Sequence, residues 1–414
     1  MLRILCFTAY FYPEQISSSH LDDNLCEAYN SAGFKRIVYT PIPCRGITPE
    51  IREKYKIIKR EERYDGLEVI NRFSMFSEGK NTLLRAVRYV LCTIVYLNKG
   101  CFAKDARSCD VIMACSTPPI MGALAVLVKK RRKLPFLFVL QDIFPDSLVA
   151  TGLAKKGDLI WKIGRVIENF TYRHADKIIV ISEDFKKNIM AKGVPEEKIV
   201  VVYNWVDEQA VVAVPREDNK LFDKYGLDRS KFYVTYNGNI GLTQNMDMLL
   251  EVAKELEVND DIQFVLVGNG AYLKQVQQII KDQHIGNVTL LPFQPYEDIS
   301  YVFSLGDVSL VISKPGVGAN SVPSKTWSIM SASRPVLANF DENELKTIIE
   351  ENHCGIFTKA GDKMAFRDAI LKLYGDRDLC KEYGKNGRRF VMENLTKAVG
   401  TQKYIDVIKQ FEKK

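Results

Sequence analysis

Residues Val308–Ala338 read VSLVISKPGVGANSVPSKTWSIMSASRPVLA, and the fold of the chain turns on how that stretch is parsed. Val308–Ile312 is a β-branched apolar run of the length of a buried strand, and Pro335–Ala338 is another. Between them Gly316 and Gly318 mark a loop, and Val322–Ser331 reads as a helix with Pro323 in its first turn and Ser321 or Ser324 as its cap. The amino end of a helix carries backbone N–H groups without intrahelical partners and attracts anions. Lys325 sits in that first turn, where its charge opposes the helix dipole, and Lys314 lies across the glycine loop. An arriving phosphate would relieve both, each charge-assisted hydrogen bond contributing roughly 1.5–3 kcal/mol. A surface loop with two solvated lysines is the alternative reading of the same residues.

Working outward, strand-like runs alternate with helical patterns along the whole chain, the signature of doubly wound parallel sheets. In the first half the strands read Arg3–Thr8, Arg36–Thr40, Glu68–Arg72, Asp110–Cys115, Phe136–Leu140, Lys177–Ile181 and Ile199–Val202. Helices fit His20–Ala32, Leu83–Cys101, Ile120–Arg131, Leu159–Arg173 and Glu183–Lys192. The polar stretch Asp207–Ser230 breaks the rhythm and reads as a linker region. Alternation restarts with strands Phe232–Tyr236, Ile262–Val267, Val288–Leu291 and the two above, and helices Met246–Leu256 and Tyr272–Lys281. The 414 residues suit two domains of about 200 residues each. We place them at 1–204 and 205–395, with a last helix, 396–414, folding back onto the first. Ligands of such sheets sit beyond the carboxyl ends of the strands, so two facing domains would share a cleft.

Composition narrows the function. Hydrophobic residues make up 46% and charged residues 26%, as in a soluble globular protein. Met1 runs into Arg3 and the strand-like ILCFTA without a signal-peptide pattern, and no apolar run approaches the roughly 20 residues of a spanning helix, so we expect a cytoplasmic chain. Nine cysteines, none in a CxxC pair, read as reduced thiols, and four scattered histidines make a metal site improbable. Of the net charge of +7, residues 1–133 carry more than all, with 22 Lys and Arg against 13 Asp and Glu. The basic series around the apolar YVLCTIVYL, and KKRRK at Lys129–Lys133, suit an anionic membrane surface, or a core helix with solvated ends. No nucleic-acid motif accompanies the charge.

The glycine loops point to a nucleotide. Gly238 and Gly241 follow the first strand of the second half, Gly268 and Gly270 the second, and Gly316 and Gly318 the fourth. Small residues there let a phosphate or sugar approach the backbone. In the first half, Ser17, Ser18 and Ser19 follow strand one and either cap the next helix or bond a polar acceptor. Asp142, in QDIFPDS after the strand FLFVL, either caps a helix or faces the cleft, where it accepts a hydroxyl proton. His20, Asp22, Glu78 and Lys80 are further candidates for acceptor contact.

Taken together, FYPEQISSS, STPPI, QDIFPDS, ADKIIVISE, YNGNIGLTQNMD, FVLVGNG, LLPFQP, GDVSLV and VPSKTWSIMSASRPVLA resemble glycosyltransferase family 4. The likeness is to its bacterial capsule and O-antigen branch, similar to the fucosamine (L-FucNAc) transferases. The resemblance spans nearly the whole chain and implies the GT-B fold, two Rossmann-like domains facing a cleft. It implies a retaining glycosyltransferase without an obligatory metal or other cofactor. The donor would be a nucleotide sugar, a UDP-linked N-acetylated or deoxy sugar, and the acceptor a lipid-linked saccharide at the inner face of the cell membrane. Carried over, Gly238, Asn239 and Gln244 line the diphosphate, Gly268 and Asn269 border the nucleotide, and Phe293 and Gln294 meet the base. Ser324 and Lys325 hold the phosphates. The family's arginine and lysine in the first donor loop are Asn239 and Gln244 here, and its paired glutamates are Asn320 and Ser328. Lys314 and Lys325 are the cations left to replace them. A UDP-sugar 2-epimerase of the same fold and a non-catalytic scaffold are the rival expectations.

Overall fold

A computed structural model describes residues 1–14, 19–77, 82–150, 154–318 and 322–412. The chain divides into two compact units, Met1–Tyr203 with Gly400–Lys414, and Asn204–Val399.

The first unit holds strands β1 (Arg3–Phe7), β2 (Lys35–Pro41), β3 (Arg60–Arg63), β4 (Glu68–Phe73), β5 (Val111–Cys115), β6 (Phe136–Leu140), β7 (Lys177–Val180) and β8 (Ile199–Val201). They form one sheet in the order β3-β4-β2-β1-β5-β6-β7-β8, parallel except for β3 against β4. Its helices are α1 (Ser19–Ser31), α2 (Pro49–Ile57), α3 (Thr82–Phe102), α4 (Lys104–Arg107), α5 (Ile120–Arg132), α6 (Asp146–Ala150), α7 (Leu159–His174) and α8 (Glu183–Ala191). Because crossover helices cover both faces, central strands read as unbroken apolar runs, and all five residues of β6 are buried. Phe7, Tyr39, Tyr96, Phe136, Phe138 and Tyr172 share one core cluster under α3, α5 and α7. Each such burial is worth roughly 1.5–3 kcal/mol. All nine cysteines are free, and burial pushes the thiols of Cys6, Cys26 and Cys115 up, away from reactivity.

The second unit holds β9 (Phe232–Asn239), β10 (Ile262–Asn269), β11 (Val288–Leu291), β12 (Val308–Ile312), β13 (Val336–Phe340) and β14 (Gly355–Lys359), in the parallel order β11-β10-β9-β12-β13-β14. Its helices are α9 (Lys220–Tyr225), α10 (Met246–Glu255), α11 (Leu273–Asp282), α12 (Ile299–Phe303), α13 (Lys325–Ser331), α14 (Glu344–Glu351), α15 (Lys363–Gly375) and α16 (Arg377–Asn394). A last helix, α17 (Lys397–Lys409), runs from this unit into the segment grouped with the first. The sheet grows to one side through β11 and then to the other from β12, so its topological switch lies between β9 and β12.

Two readings from the sequence need correction. The polar stretch 207–230 is no linker: Leu221 and Phe222 on α9 are fully buried with Tyr233 and Val265, and the stretch belongs to the second unit. The helix expected from Val322 begins at Lys325, with Ser324 at its cap position but making no side-chain cap bond. The alternative cap, Ser321, lies outside the described residues. With seven residues α13 has a weak dipole, so whatever binds beside it is held by side chains rather than by the helix end.

Candidate active site

At the switch point the second sheet opens. β9 pairs with β12 only at Val234 and Thr235, whereas β9 and β10 stay paired out to Asn239 and Asn269. Of the two glycines on these strand ends, Gly268 is sterically required and Gly238 is favoured by its positive φ. Gly268 has φ +155, and a Cβ there would lie 1.9 Å from the Gly238 carbonyl oxygen. Gly238 has φ +127, and a Cβ on it would lie 3.2 Å from Lys325 Nζ. The lysine that opens α13 therefore lies directly over the bare backbone at the end of β9.

The ammonium of Lys325 is 3.8 Å from the centroid of the Tyr236 ring, and no carboxylate pairs with it among the described residues. Although the residue as a whole is half-buried, its Nζ is packed against ring and strand end. That local loss of water pushes its pKa down to about 7. At the same strand ends and on α13, three side chains lack hydrogen-bond partners among the described residues: both amide atoms of Asn237, Ser313 Oγ and Thr326 Oγ1. Asn237 and Ser313 are 4% exposed and Thr326 is 0% exposed, and a buried polar group without any partner costs about 1–3 kcal/mol. These four groups stand at the carboxyl ends of β9 and β12 and at the start of α13.

The other loops are less available than the sequence suggests. The glycine loop after β12 is already occupied: Gly316 N and Gly318 N donate to Asp341 Oδ1 and Oδ2 at 2.9 and 2.8 Å. Its donors therefore hold a carboxylate of the chain itself rather than an incoming phosphate. Lys314 donates its backbone N–H to Thr243 O at 2.8 Å, tying the loop after β9 to the end of β12. Its Nζ lies 5.5 Å from the Tyr272 ring centroid. Gln244 Oε1 accepts from Gly241 N at 3.1 Å, and Asn269 Oδ1 from Gly270 N at 2.7 Å, so each braces its own turn.

In the first unit Asp142 lies two residues beyond β6. Ser116 Oγ accepts from the backbone N–H of both Gln141 and Asp142 at 3.0 Å, which sets the path of that loop. The Asp142 carboxylate accepts from Ser147 Oγ at 3.0 Å. Crowding raises its pKa and the Ser147 bond opposes the rise; the residue is exposed, so water screens much of the effect. Behind it is a cavity of about 20 Å³, lined by Ser116, Asp142, Glu168 and Tyr172 among others. Glu14 is buried and clamps the loop after β1, accepting from the N–H groups of Phe11, Cys44 and Arg45 at 2.7–3.0 Å.

Over 99% of its length the chain superposes on the crystal structure of HepE from Anabaena in complex with UDP and glucose, covering 100% of that chain with a TM-score of 0.72 at 16% identity. Residues 23–205 match the glycosyl transferase 4-like domain, and residues 217–390 match glycosyl transferases group 1. The chain is a GT-B glycosyltransferase. The transferase is 25% identical over 334 residues to the probable glycosyltransferase WbjE of Pseudomonas aeruginosa, 80% of this chain and 82% of that one. It is also 26% identical over 231 residues to WcaI of Escherichia coli, a putative colanic acid biosynthesis glycosyl transferase, 55% of this chain and 56% of that one.

Among the residues singled out in the transferase's sequence, the structure brings Gly238, Gly268 and Lys325 together, and Asn239 and Asn269 stand opposite each other in register. Gln294 is not free to meet a base. It is 6% exposed, donates through Nε2 to Tyr225 Oη and Pro292 O, and accepts from Lys224. Phe293 beside it is 75% exposed. Ser19 and His20 open α1, but their side chains, with Ser17, Ser18, Glu78, Lys80 and Asn320, lie outside the described residues. Asn237, Ser313 and Asp341 went unread. The first two stood inside quoted motifs, where a polar residue closing an apolar strand was the available signal.

Proposed function

We propose that the transferase moves a sugar from a uridine diphosphate donor, bound at the β9–β12 switch of the second unit, to a lipid-linked saccharide bound by the first. Transfer occurs with retention at the anomeric carbon, during synthesis of a capsular or O-antigen repeat. The observation that carries the donor half is Lys325, an ammonium packed beside Gly238 with no counter-ion among the described residues, at strand ends that also hold buried polar groups without partners there. A diphosphate supplies what that arrangement lacks, a charge for the lysine and several acceptor oxygens for the hydroxyls and amide. The bound UDP and glucose in HepE support the choice of base, and the naming of WcaI for colanic acid synthesis supports the polysaccharide context.

When the glycosyl bond breaks, negative charge grows on the departing diphosphate. A protonated Lys325 stabilises that charge more than it stabilises the intact donor, which lowers the barrier. Asp142, held by Ser116 and Ser147, faces the acceptor and orients its hydroxyl. A thermal-shift screen across UDP-, GDP- and dTDP-sugars tests the donor assignment. Ligand at a hundredfold over its Kd adds about 2.7 kcal/mol to stability, so a UDP-sugar should raise the melting temperature visibly. A rise with GDP- or dTDP-sugars instead reassigns the base, and no rise with any of them leaves a chain that does not bind donor.

A further inference from the structure

The helices α3, α5 and α7 lie side by side, α5 between the other two and packed on β5 and β6. Their inner sides build the core of the first unit, but their outer sides are not polar as those of surface helices normally are. On α3, Leu84, Val87, Leu91 and Ile94 follow helical spacing along the solvent side and are 41–58% exposed, with Val90 beside them at 54%. On α7, Leu159, Ile160, Ile163 and Val166 do the same at 52–72% exposed, and Leu127 of α5 stands between at 46%. Among the described residues no helix is long and apolar enough to cross a membrane, so these residues do not mark a span.

The charge of this face is one-sided. The three helices carry ten Lys and Arg against one acid, Glu168. Glu168 is 6% exposed and paired with Arg165 and Lys192, so it gives the surface no negative charge. Lys99, Lys130, Arg131 and Lys162 are exposed on the helices, and Lys155 and Lys156 are exposed just before α7. The nearby Asp158 is used as the cap of α7, accepting from Trp161 N at 2.7 Å.

We propose that the α3–α5–α7 face docks on an anionic lipid bilayer, its aliphatic side chains entering the acyl boundary and its lysines meeting the headgroups. Composition favours lipid over protein, because protein interfaces are enriched in aromatic residues and depleted in lysine, while the exposed side chains of this face are mainly Leu, Val, Ile and Lys, beside Phe102 and Arg131. A second copy across a two-fold axis would bring the same cations against each other. An anionic leaflet instead rewards each basic residue near it by about 1 kcal/mol. The inference rests on the lipid-linked acceptor for its purpose and on the face itself for its evidence.

Flotation of the full chain with vesicles tests it, using phosphatidylcholine alone and phosphatidylcholine with phosphatidylglycerol. The chain should float with the anionic vesicles, less so as salt rises, and remain at the bottom with neutral ones. Ile94→Asp with Ile163→Asp should cut vesicle partitioning at least about tenfold, and Lys130→Glu with Arg131→Glu severalfold. Both variants should keep the wild-type melting temperature and UDP-sugar affinity, which separates failure of this surface from failure of the donor site. Wild-type chain that ignores anionic vesicles, variants that float undiminished, or a dimer that the aspartates convert to monomer would each overturn the proposal.

Discussion

The loops that follow β1 and β6 in the first unit are held by side chains turned inward, whereas the strand ends at the switch of the second unit leave polar groups without partners. Glu14 accepts three backbone N–H groups and Ser116 two. Among the described residues Asn237, Ser313 and Thr326 have none, and Lys325 has no counter-ion. The difference teaches where each half keeps its binding energy. Around Glu14 and Ser116 the bonds that shape the loops are already made, although Tyr172 Oη, in the cavity beside Asp142, has no partner among the described residues. At the switch of the second unit, bonds and charge are left unmet at a cost to stability, which is what the proposed donor would complete.

If that contrast is right, three substitutions should behave differently. Asp142→Asn removes a carboxylate without moving the loop that Ser116 holds, so kcat should fall roughly 100-fold or more while the Kd for UDP-sugar stays put. Steady-state kinetics beside calorimetry reads both, and undiminished turnover takes Asp142 out of the chemistry.

Lys325→Met should weaken UDP-sugar binding by about 10- to 100-fold, the worth of one charge-assisted contact in a desolvated site. The same variant should melt a few degrees higher than wild type at pH 7, since it no longer buries an ammonium. The sign follows from the depressed pKa of about 7. Between that value and the ordinary lysine pKa the unfolded chain binds the extra proton, so wild-type stability rises with pH and its deficit against the variant should shrink from pH 7 to 10. Donor binding runs the other way: a diphosphate favours the protonated lysine, so affinity should fall as pH climbs above 7, by up to about tenfold per unit. A Lys325→Met variant with wild-type affinity would erase the contrast between the units.

The mildest test is Asn237→Ala, which deletes the buried amide that has no partner. Donor affinity should drop by about three- to tenfold, the worth of an ordinary hydrogen bond, while thermal stability holds or improves. Loss of stability with unchanged affinity would mean that the amide serves the fold.

Most of both sheets was readable because buried parallel strands are short continuous apolar runs, as in FLFVL and VSLVI. What escaped lacked that mark. β3 is REER, an antiparallel edge strand whose charges do not reveal a sheet. The polar 207–230 stretch hides α9, whose Leu221 and Phe222 are its few anchors. In the site, Lys325 and the glycines were legible because local motif and backbone need coincide there. The roles of Asp341, Ser116 and Glu14 were not, since each acts on N–H groups 23 to 31 residues away, or partly so in the case of Glu14.

By itself the sequence determined the succession of strands and helices, the placing of glycine at the strand ends and the uneven distribution of charge, all of which follow from local periodicity and residue type. Tertiary structure alone decided which donors were left open. Packing brought Asp341 onto the glycine loop and closed it, tied Gln294 into the interior, and pressed Lys325 against Tyr236 and Gly238 with no carboxylate paired to it among the described residues. A side chain's availability is set by its neighbours in space, and burial with no partner is a property that no stretch of sequence carries.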